Sequence, residues 1–215
     1  MCTRFYYDSS IPTLDEVEKE AALSPLASKF TVNLSKPIIT NGEVRPTDVV
    51  AVYAPDKGGN KAVFPMKWGF TLSPPKTSNL GNKGNLIVNA RVETAPVKKT
   101  FAESWAKRRC IIPCAYYFEW RHEYNPDNGK SIAKEKYMIQ PVGTEVTYLA
   151  GLYRIEDGYP VFTVLTTKPT EELAQIHDRM PVILPGDAVD EWIRPSADPN
   201  LLLTSRVTDM VMERI

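Results

Sequence analysis

The second residue of the chain is a cysteine, and that position gives it chemistry open to no internal cysteine. Initiator methionine is usually trimmed when the next residue is small. Loss of Met1 would leave Cys2 with a free α-amine and a free thiol on adjacent carbons. Ordinary values for such groups are a pKa of about 8 for the amine and about 8.5 for the thiol, so both are expected to be partly reactive at neutral pH. An aminothiol of this kind condenses with an aldehyde in two steps. The amine forms an imine, and the thiolate then closes a five-membered thiazolidine ring on the same carbon. An N-terminal cysteine can equally attack an amide or an ester, with its amine as the base. Position two can also hold a cysteine for no chemical reason, so the candidate nucleophile needs partners.

Three segments offer them: Val88-Asn89-Ala90-Arg91-Val92-Glu93-Thr94, Phe118-Glu119-Trp120 and His177-Asp178-Arg179-Met180-Pro181. Each sets polar or ionisable groups beside strongly apolar neighbours, where an unpaired polar group is costly. Such groups are either satisfied structurally or belong to a site. Taken singly, each reads as structural: Glu119 could form an internal salt bridge, and His177 could cap carbonyls at a helix end. The remaining cysteines, Cys110 and Cys114, bracket Ile111-Ile112-Pro113 and do not have zinc-knuckle spacing. They are expected to be buried structural thiols. With two histidines in the chain, no catalytic metal is expected, and no Gly-rich phosphate cradle suggests a nucleotide cofactor.

The 26 basic and 26 acidic residues balance, which argues against a surface built for sequence-blind duplex binding but leaves room for a local basic groove. Lys98, Lys99, Lys107, Arg108 and Arg109 do cluster, near Arg91; on charge alone they read as a solvated helix face and a strand start. The first residues lack the apolar run of a signal peptide, and no stretch is long and apolar enough to span a membrane, so a cytoplasmic protein is expected. At 215 residues the chain suits a single domain over 1–215.

Positioning these groups falls to many short strands and few helices. Strands are expected at 2–7, 48–54, 61–70, 108–112, 115–121, 132–140, 146–154 and 160–167, with a possible sheet-closing tail at 206–213. Pro12 opens a helix running to about Leu23, with Thr13 and Glu16 at capping-box spacing. Further helices are expected at 97–107, 170–177 and 187–193, while 30–46 reads as irregular and 71–85 as a long polar loop. The pattern implies an α+β fold: a mixed, mostly antiparallel, curved or barrel-like sheet with a few short peripheral helices.

Met-Cys-x-Arg-Phe, Trp-Gly, Asn-Ala-Arg-x-Glu-Thr, Phe-Glu-Trp and His-Asp-Arg-Met-Pro, at residues 1–5, 68–69, 89–94, 118–120 and 177–181, resemble in this order the signature of the SRAP family, the SOS-response-associated-peptidase-like proteins. The resemblance implies covalent capture of abasic sites in single-stranded DNA as part of the DNA damage response. Cys2 would bond C1′ of the open-chain sugar, Asn89 would hold the opened sugar or the new ring, and Glu119 would shuttle protons. A carboxyl beside aromatics should have its pKa raised toward the useful range. His177 would be a second acid or base. Arg4, Arg91 and Lys99 fall where the family contacts phosphates, and Thr166 resembles another backbone contact. Trp120 is a stacking candidate, Pro46 a wedge against bases, Arg179 an orienting group, and Trp68 core. Single-strand binding through a basic groove and base stacking needs no large net charge. Association with the nucleoid or replication fork is implied if the source is prokaryotic.

The chain departs from the family pattern where Thr3 replaces the usual Gly, and where 71–85 lacks the tryptophan often found there. Thr takes a positive φ reluctantly, so any close backbone approach must be achieved differently. A peptidase or amidohydrolase using the same Cys2, including self-removal of Met1, is the competing reading; an imine would also permit a lyase side reaction. Arg4, Arg91, Lys99 and Trp120 favour DNA, since a small amide needs no phosphate clamp.

Overall fold

The computed structural model describes residues 2–72, 85–124 and 131–215. In chain order its elements are β1 (Arg4–Asp8), α1 (Pro12–Leu23), α2 (Pro25–Leu34), β2 (Asn41–Val44), β3 (Val49–Pro55), β4 (Lys61–Trp68), β5 (Phe70–Thr71), β6 (Leu86–Ile87) and β7 (Asn89–Arg91). There follow α3 (Ala102–Lys107), β8 (Arg109–Cys114), β9 (Tyr116–Tyr124), β10 (Ser131–Pro141), β11 (Thr147–Glu156), β12 (Tyr159–Thr167), β13 (Met180–Pro181), β14 (Ile183–Leu184), α4 (Val189–Ile193), α5 (Pro199–Leu202) and β15 (Met210–Arg214).

Five strands close on themselves. β12 pairs in parallel with β4, β4 with β3, β3 with β8, β8 with β11, and β11 returns to β12, the last four pairings antiparallel. Closure leaves these strands no free edge within the ring, and it explains their near-continuous apolar sequences. Residues along them alternate between two buried clusters. Cys110, Ile112, Leu149, Phe162 and Val164 join one, and Ile111, Ala150, Leu152, Val161 and Leu165 join the other. A second, antiparallel sheet runs in the order β15-β10-β9-β1-β2. The chain crosses from the ring to this sheet between β8 and β9, where Ala115 N–H donates to the Tyr6 carbonyl at 2.9 Å. β1 turns Phe5 and Tyr7 inward and keeps Arg4, Tyr6 and Asp8 partly exposed, a period-two pattern that fixes its register.

The expected α+β class with a barrel-like, mostly antiparallel sheet is the observed one, and the local differences have identifiable causes. The capping box at Thr13 and Glu16 does not form. α1 opens at Pro12 as expected, but Ile11 occupies the cap and Pro12 the first turn, where proline's fixed φ is already helical. Segment 30–46 is not irregular throughout, because α2 covers its start and β2 its end. Residues 170–177 hold only a single 3-10 turn at Leu173–Gln175, and α3 begins later than the expected 97, after a run of turns. The strand expected over 61–70 breaks at Gly69, whose φ is +118°. A Cβ there would stand 2.5 Å from Leu86 Cδ1, so both the positive φ and the close approach of Leu86 favour glycine at this position. Most of the polar loop expected at 71–85 lies outside the described residues. Arg109, drawn with the basic cluster from sequence, is instead 1% exposed. Its guanidinium donates to the carbonyls of Trp105, Ala106, Trp192, Arg194 and Ala197. Cys110 and Cys114 are buried and free of disulfides. Among the described residues no helix is long and apolar enough to cross a membrane.

Candidate functional site

Cys2 lies just ahead of β1 and is fully buried. Asn89 Nδ2 donates to its backbone carbonyl at 2.8 Å. That bond follows from the parallel pairing of β7 with β12, which sets Asn89 opposite Val164. The other amide atom, Asn89 Oδ1, is buried and accepts no hydrogen bond. The Cys2 thiol points to the Arg4 carbonyl, Sγ to O 3.8 Å. Burial, and then the Glu119 charge, push the thiol far above its usual range. Burial thus favours the protonated form of the thiol.

Glu119 is 4% exposed on β9, between buried Phe118 and half-buried Trp120, which lie on the opposite face of the strand. Burial raises its pKa, the amino-terminal charge opposes that shift, and Asp178 adds to it. The upward direction matches the sequence expectation. The influence of Asp178 also places the His177 loop within electrostatic reach of Glu119. His177 Nδ1 sits 2.7 Å from Asp178 Oδ1 and 3.1 Å from the Arg179 backbone N–H. The first contact wants a proton on Nδ1 and the second wants none, so the two belong to different tautomers or protonation states of the ring. Burial lowers the His177 pKa, which favours the neutral ring. His122 faces the same ring edge-on, with centroids 6.4 Å apart.

The His177 loop is held from behind. Arg179, 8% exposed, makes a two-pronged pair with Glu93, both N–O distances 2.8 Å, and its Nη2 donates to the Thr166 carbonyl at 2.7 Å. Asn89, Arg91 and Glu93 thus divide their motif: Asn89 reaches the cysteine, Arg91 is exposed, and Glu93 fixes the loop that carries His177. The Arg179 hydrogen bond draws the Glu93 carboxyl below its usual range.

Among the candidate phosphate contacts, Arg91 and Lys99 are exposed. Arg4 is half-buried, its Nε 3.0 Å from Glu43 Oε1 and its Nη1 donating to the Thr3 carbonyl. Thr166 is fully buried with its hydroxyl toward the Ala90 carbonyl, so it presents no side chain to a phosphate and serves instead to hold Arg179. Pro46 is half-buried, next to Thr47 at φ +78°. Trp120 is half-buried and pairs with Lys136, whose Nζ lies 5.5 Å from the indole ring and 3.6 Å from the Phe118 ring. Thr3 is not among the positive-φ residues, so its replacement of glycine demands no strained backbone. Sequence reasoning missed Glu93 as a clamp, along with His122 and Lys136. Only Glu93 carried a signal, its two-residue offset from Arg91 inside a motif already singled out. Among the described residues, no group of three or more His, Cys, Asp or Glu could hold a metal ion.

Comparison with known proteins bears on this arrangement. Residues 1–214 match the family described as SOS response associated peptidase (SRAP). The chain is 35% identical over 153 residues to the abasic site processing protein YoqW of Bacillus subtilis, covering 67% of this chain and 63% of that protein. It is 29% identical over 112 residues to the abasic site processing protein YedK of Escherichia coli, covering 50% of this chain and 47% of that protein. The matched region thus spans less than two thirds of the length of these curated relatives. A crystal structure of a protein from Bacteroides thetaiotaomicron superposes with a TM-score of 0.68 at 21% identity, covering 98% of this chain and 91% of that one, which speaks to the fold alone.

Proposed function

The chain belongs to the SRAP family, and from that premise we propose that it captures abasic sites in single-stranded DNA covalently, through the amine and thiol of Cys2 after Met1 is removed. Relatives such as YoqW and YedK are named abasic site processing proteins. The observation that carries the reading onto this chain is the Asn89–Cys2 hydrogen bond, which ties the second residue to a buried region that also holds an acid of raised pKa.

The chemistry balances with the groups present. The α-amine of Cys2 adds to the sugar aldehyde at C1′ to give a carbinolamine. Glu119, whose pKa is raised by burial, gives a proton to the departing hydroxyl, which leaves as water, and an iminium remains. The thiol then loses its proton to the Glu119 carboxylate, and the thiolate attacks the same carbon to close the thiazolidine. The net change is one water lost and two bonds formed to C1′, with Glu119 returned to its starting state. The unpartnered Asn89 Oδ1 accepts a hydrogen bond from a hydroxyl of the opened sugar. Neutral His177 serves as the second base, and Arg4, Arg91, Lys99 and Trp120 hold the strand.

The test is a denaturing gel and intact mass after mixing the Met1-free protein with a single-stranded oligonucleotide bearing one abasic site. A heat-stable adduct, absent with undamaged DNA and with Cys2→Ala, is expected. No adduct from protein proven to lack Met1 would overturn the reading in favour of an amide-cleaving N-terminal cysteine.

A further inference from the structure

Tyr117 is 1% exposed, and its hydroxyl is a buried polar atom with no hydrogen-bond partner. A buried donor left unpaired costs about 1–3 kcal/mol, so a folded protein that keeps one in a working site invites a functional account. The ring has little freedom to look elsewhere. Its cross-strand neighbours are Phe5 on β1 and Ile139 on β10, both buried. Tyr117 and Glu119 lie two residues apart on β9 and so share its inward face. Cys2, Phe5 and Tyr117 belong to one buried cluster. The charges of Cys2 and Glu119 both bear on the phenol, and with burial, the largest cause, they raise its pKa well above the usual value, so it remains an O–H donor at neutral pH.

The proposed chemistry has the complementary deficit. The hydrogen bond made by the Cys2 sulfur is one it donates, to the Arg4 carbonyl, and only the protonated thiol can make it. Once ionised, the sulfur faces that carbonyl oxygen and the nearby Glu119 in a site closed to water. The Asn89 amide is engaged with the Cys2 carbonyl and does not serve the sulfur. A donor without an acceptor thus stands in the same cluster as an anion that needs a donor.

We propose that Tyr117 is a catalytic residue for ring closure, its phenol donating a hydrogen bond to the Cys2 sulfur as the thiolate forms and attacks the iminium carbon. The inference rests on the abasic-site reading and deepens it. It assigns the two half-reactions to different groups: Glu119 governs loss of water, and Tyr117 governs the sulfur step. The phenol keeps its proton throughout, so the proton balance is unchanged.

The two steps are read separately with the Met1-free protein and the abasic-site oligonucleotide, from pH 5.5 to 9. Borohydride quenching at timed intervals traps the imine, and a denaturing gel without borohydride reads the closed ring. Tyr117→Phe should form the trappable imine at the wild-type rate and close the ring roughly ten- to a hundredfold more slowly, as for loss of one hydrogen bond to a charged atom. The pH at which ring closure reaches half its maximum should move up. Because the variant deletes an unpartnered hydroxyl, its melting temperature should equal or exceed that of wild type. Ring closure at the wild-type rate with an unshifted pH profile would overturn the inference. So would equal slowing of both steps accompanied by a lower melting temperature, which marks a packing role. If wild type forms no adduct at all, the abasic-site reading falls and takes this inference with it.

Discussion

Glu93→Ala isolates the contribution of the clamp behind His177. The wild-type pair is two-pronged, both distances 2.8 Å, with Arg179 8% exposed and Glu93 42% exposed. Removing one partner of a fully buried pair costs about 3–5 kcal/mol, whereas an exposed pair is worth about 0–1 kcal/mol. This pair lies between, because the guanidinium is enclosed while the carboxylate has one side in water. Arg179 also retains the Thr166 carbonyl. A loss of about 1–2 kcal/mol follows, which in a chain of this size lowers the melting temperature by about 2–8 °C. The sign of the pH dependence is fixed by the depressed Glu93 pKa. Its contribution is fully present above the ordinary glutamate value and is lost as pH falls toward the folded one, so the gap between variant and wild type should narrow in acid. The assay is thermal melting across pH 3 to 8, run as a double-mutant cycle with Arg179→Leu. Capture of an abasic-site oligonucleotide should slow in Glu93→Ala, since the His177 loop loses its support. A melting temperature within about 1 °C of wild type at neutral pH, with no coupling in the cycle, would refute the reasoning.

Further outcomes are expected along the same site. Cys2→Ala should abolish the heat-stable adduct while leaving an imine that borohydride traps through the new terminal amine; a persisting wild-type-like adduct would exclude ring closure by the thiol. Glu119→Gln should slow capture more than it weakens oligonucleotide affinity. It should also raise the melting temperature near neutral pH, because the raised folded pKa means stability is lost as pH rises through it; below the ordinary glutamate value that gain should vanish. His177→Ala should change the rates of adduct formation and reversal, and unaltered rates in both directions would remove it from the mechanism. Arg91→Ala should lower the salt dependence of single-strand binding by about 0.7 in the log–log slope, measured by fluorescence anisotropy, and an unchanged slope would deny Arg91 a phosphate.

Sequence reached the fold class because alternation survives in β1 and because β3, β8 and β12 are too uniformly apolar to be anything but enclosed strands. It erred where helices are short: a single 3-10 turn and a ten-residue helix are both decided by tertiary contacts rather than propensity. Cys2, Asn89, Glu119 and His177 were legible as types in motifs. Their juxtaposition was not, since it depends on a parallel β7–β12 pairing that joins residues far apart in the chain. Thr166 shows the converse failure. A threonine near a motif can look like a phosphate contact, yet its place in β12 turns the hydroxyl inward and leaves only its carbonyl to act. Arg109 could not be told from its solvated neighbours by charge, because what buries it is a set of five carbonyls supplied mostly from the α4 region.

The burial of the Cys2 thiol has a consequence for the order of events. A thiol raised so far in pKa is a poor nucleophile toward free aldehydes at neutral pH, so the sulfur does not begin the proposed reaction. The amine must act first. Once the iminium exists, its positive charge lies two bonds from the carbon that bears the sulfur and stabilises the thiolate that burial and Glu119 had opposed. Glu119, having given up its proton to the departing hydroxyl, is at that moment the base the thiol needs. Sulfur reactivity is thereby made conditional on an aldehyde already held by the amine. Under the proposed mechanism, small aldehydes that bind no phosphate contacts would dissociate from the imine before the ring closes, whereas a DNA strand held at the proposed contacts Arg4, Arg91 and Lys99 would stay long enough. Millimolar formaldehyde or glyceraldehyde should therefore compete weakly with a micromolar abasic-site oligonucleotide for ring formation, as read by intact mass. Efficient thiazolidine formation on the folded protein by the free aldehydes would show that the sulfur is not gated in this way.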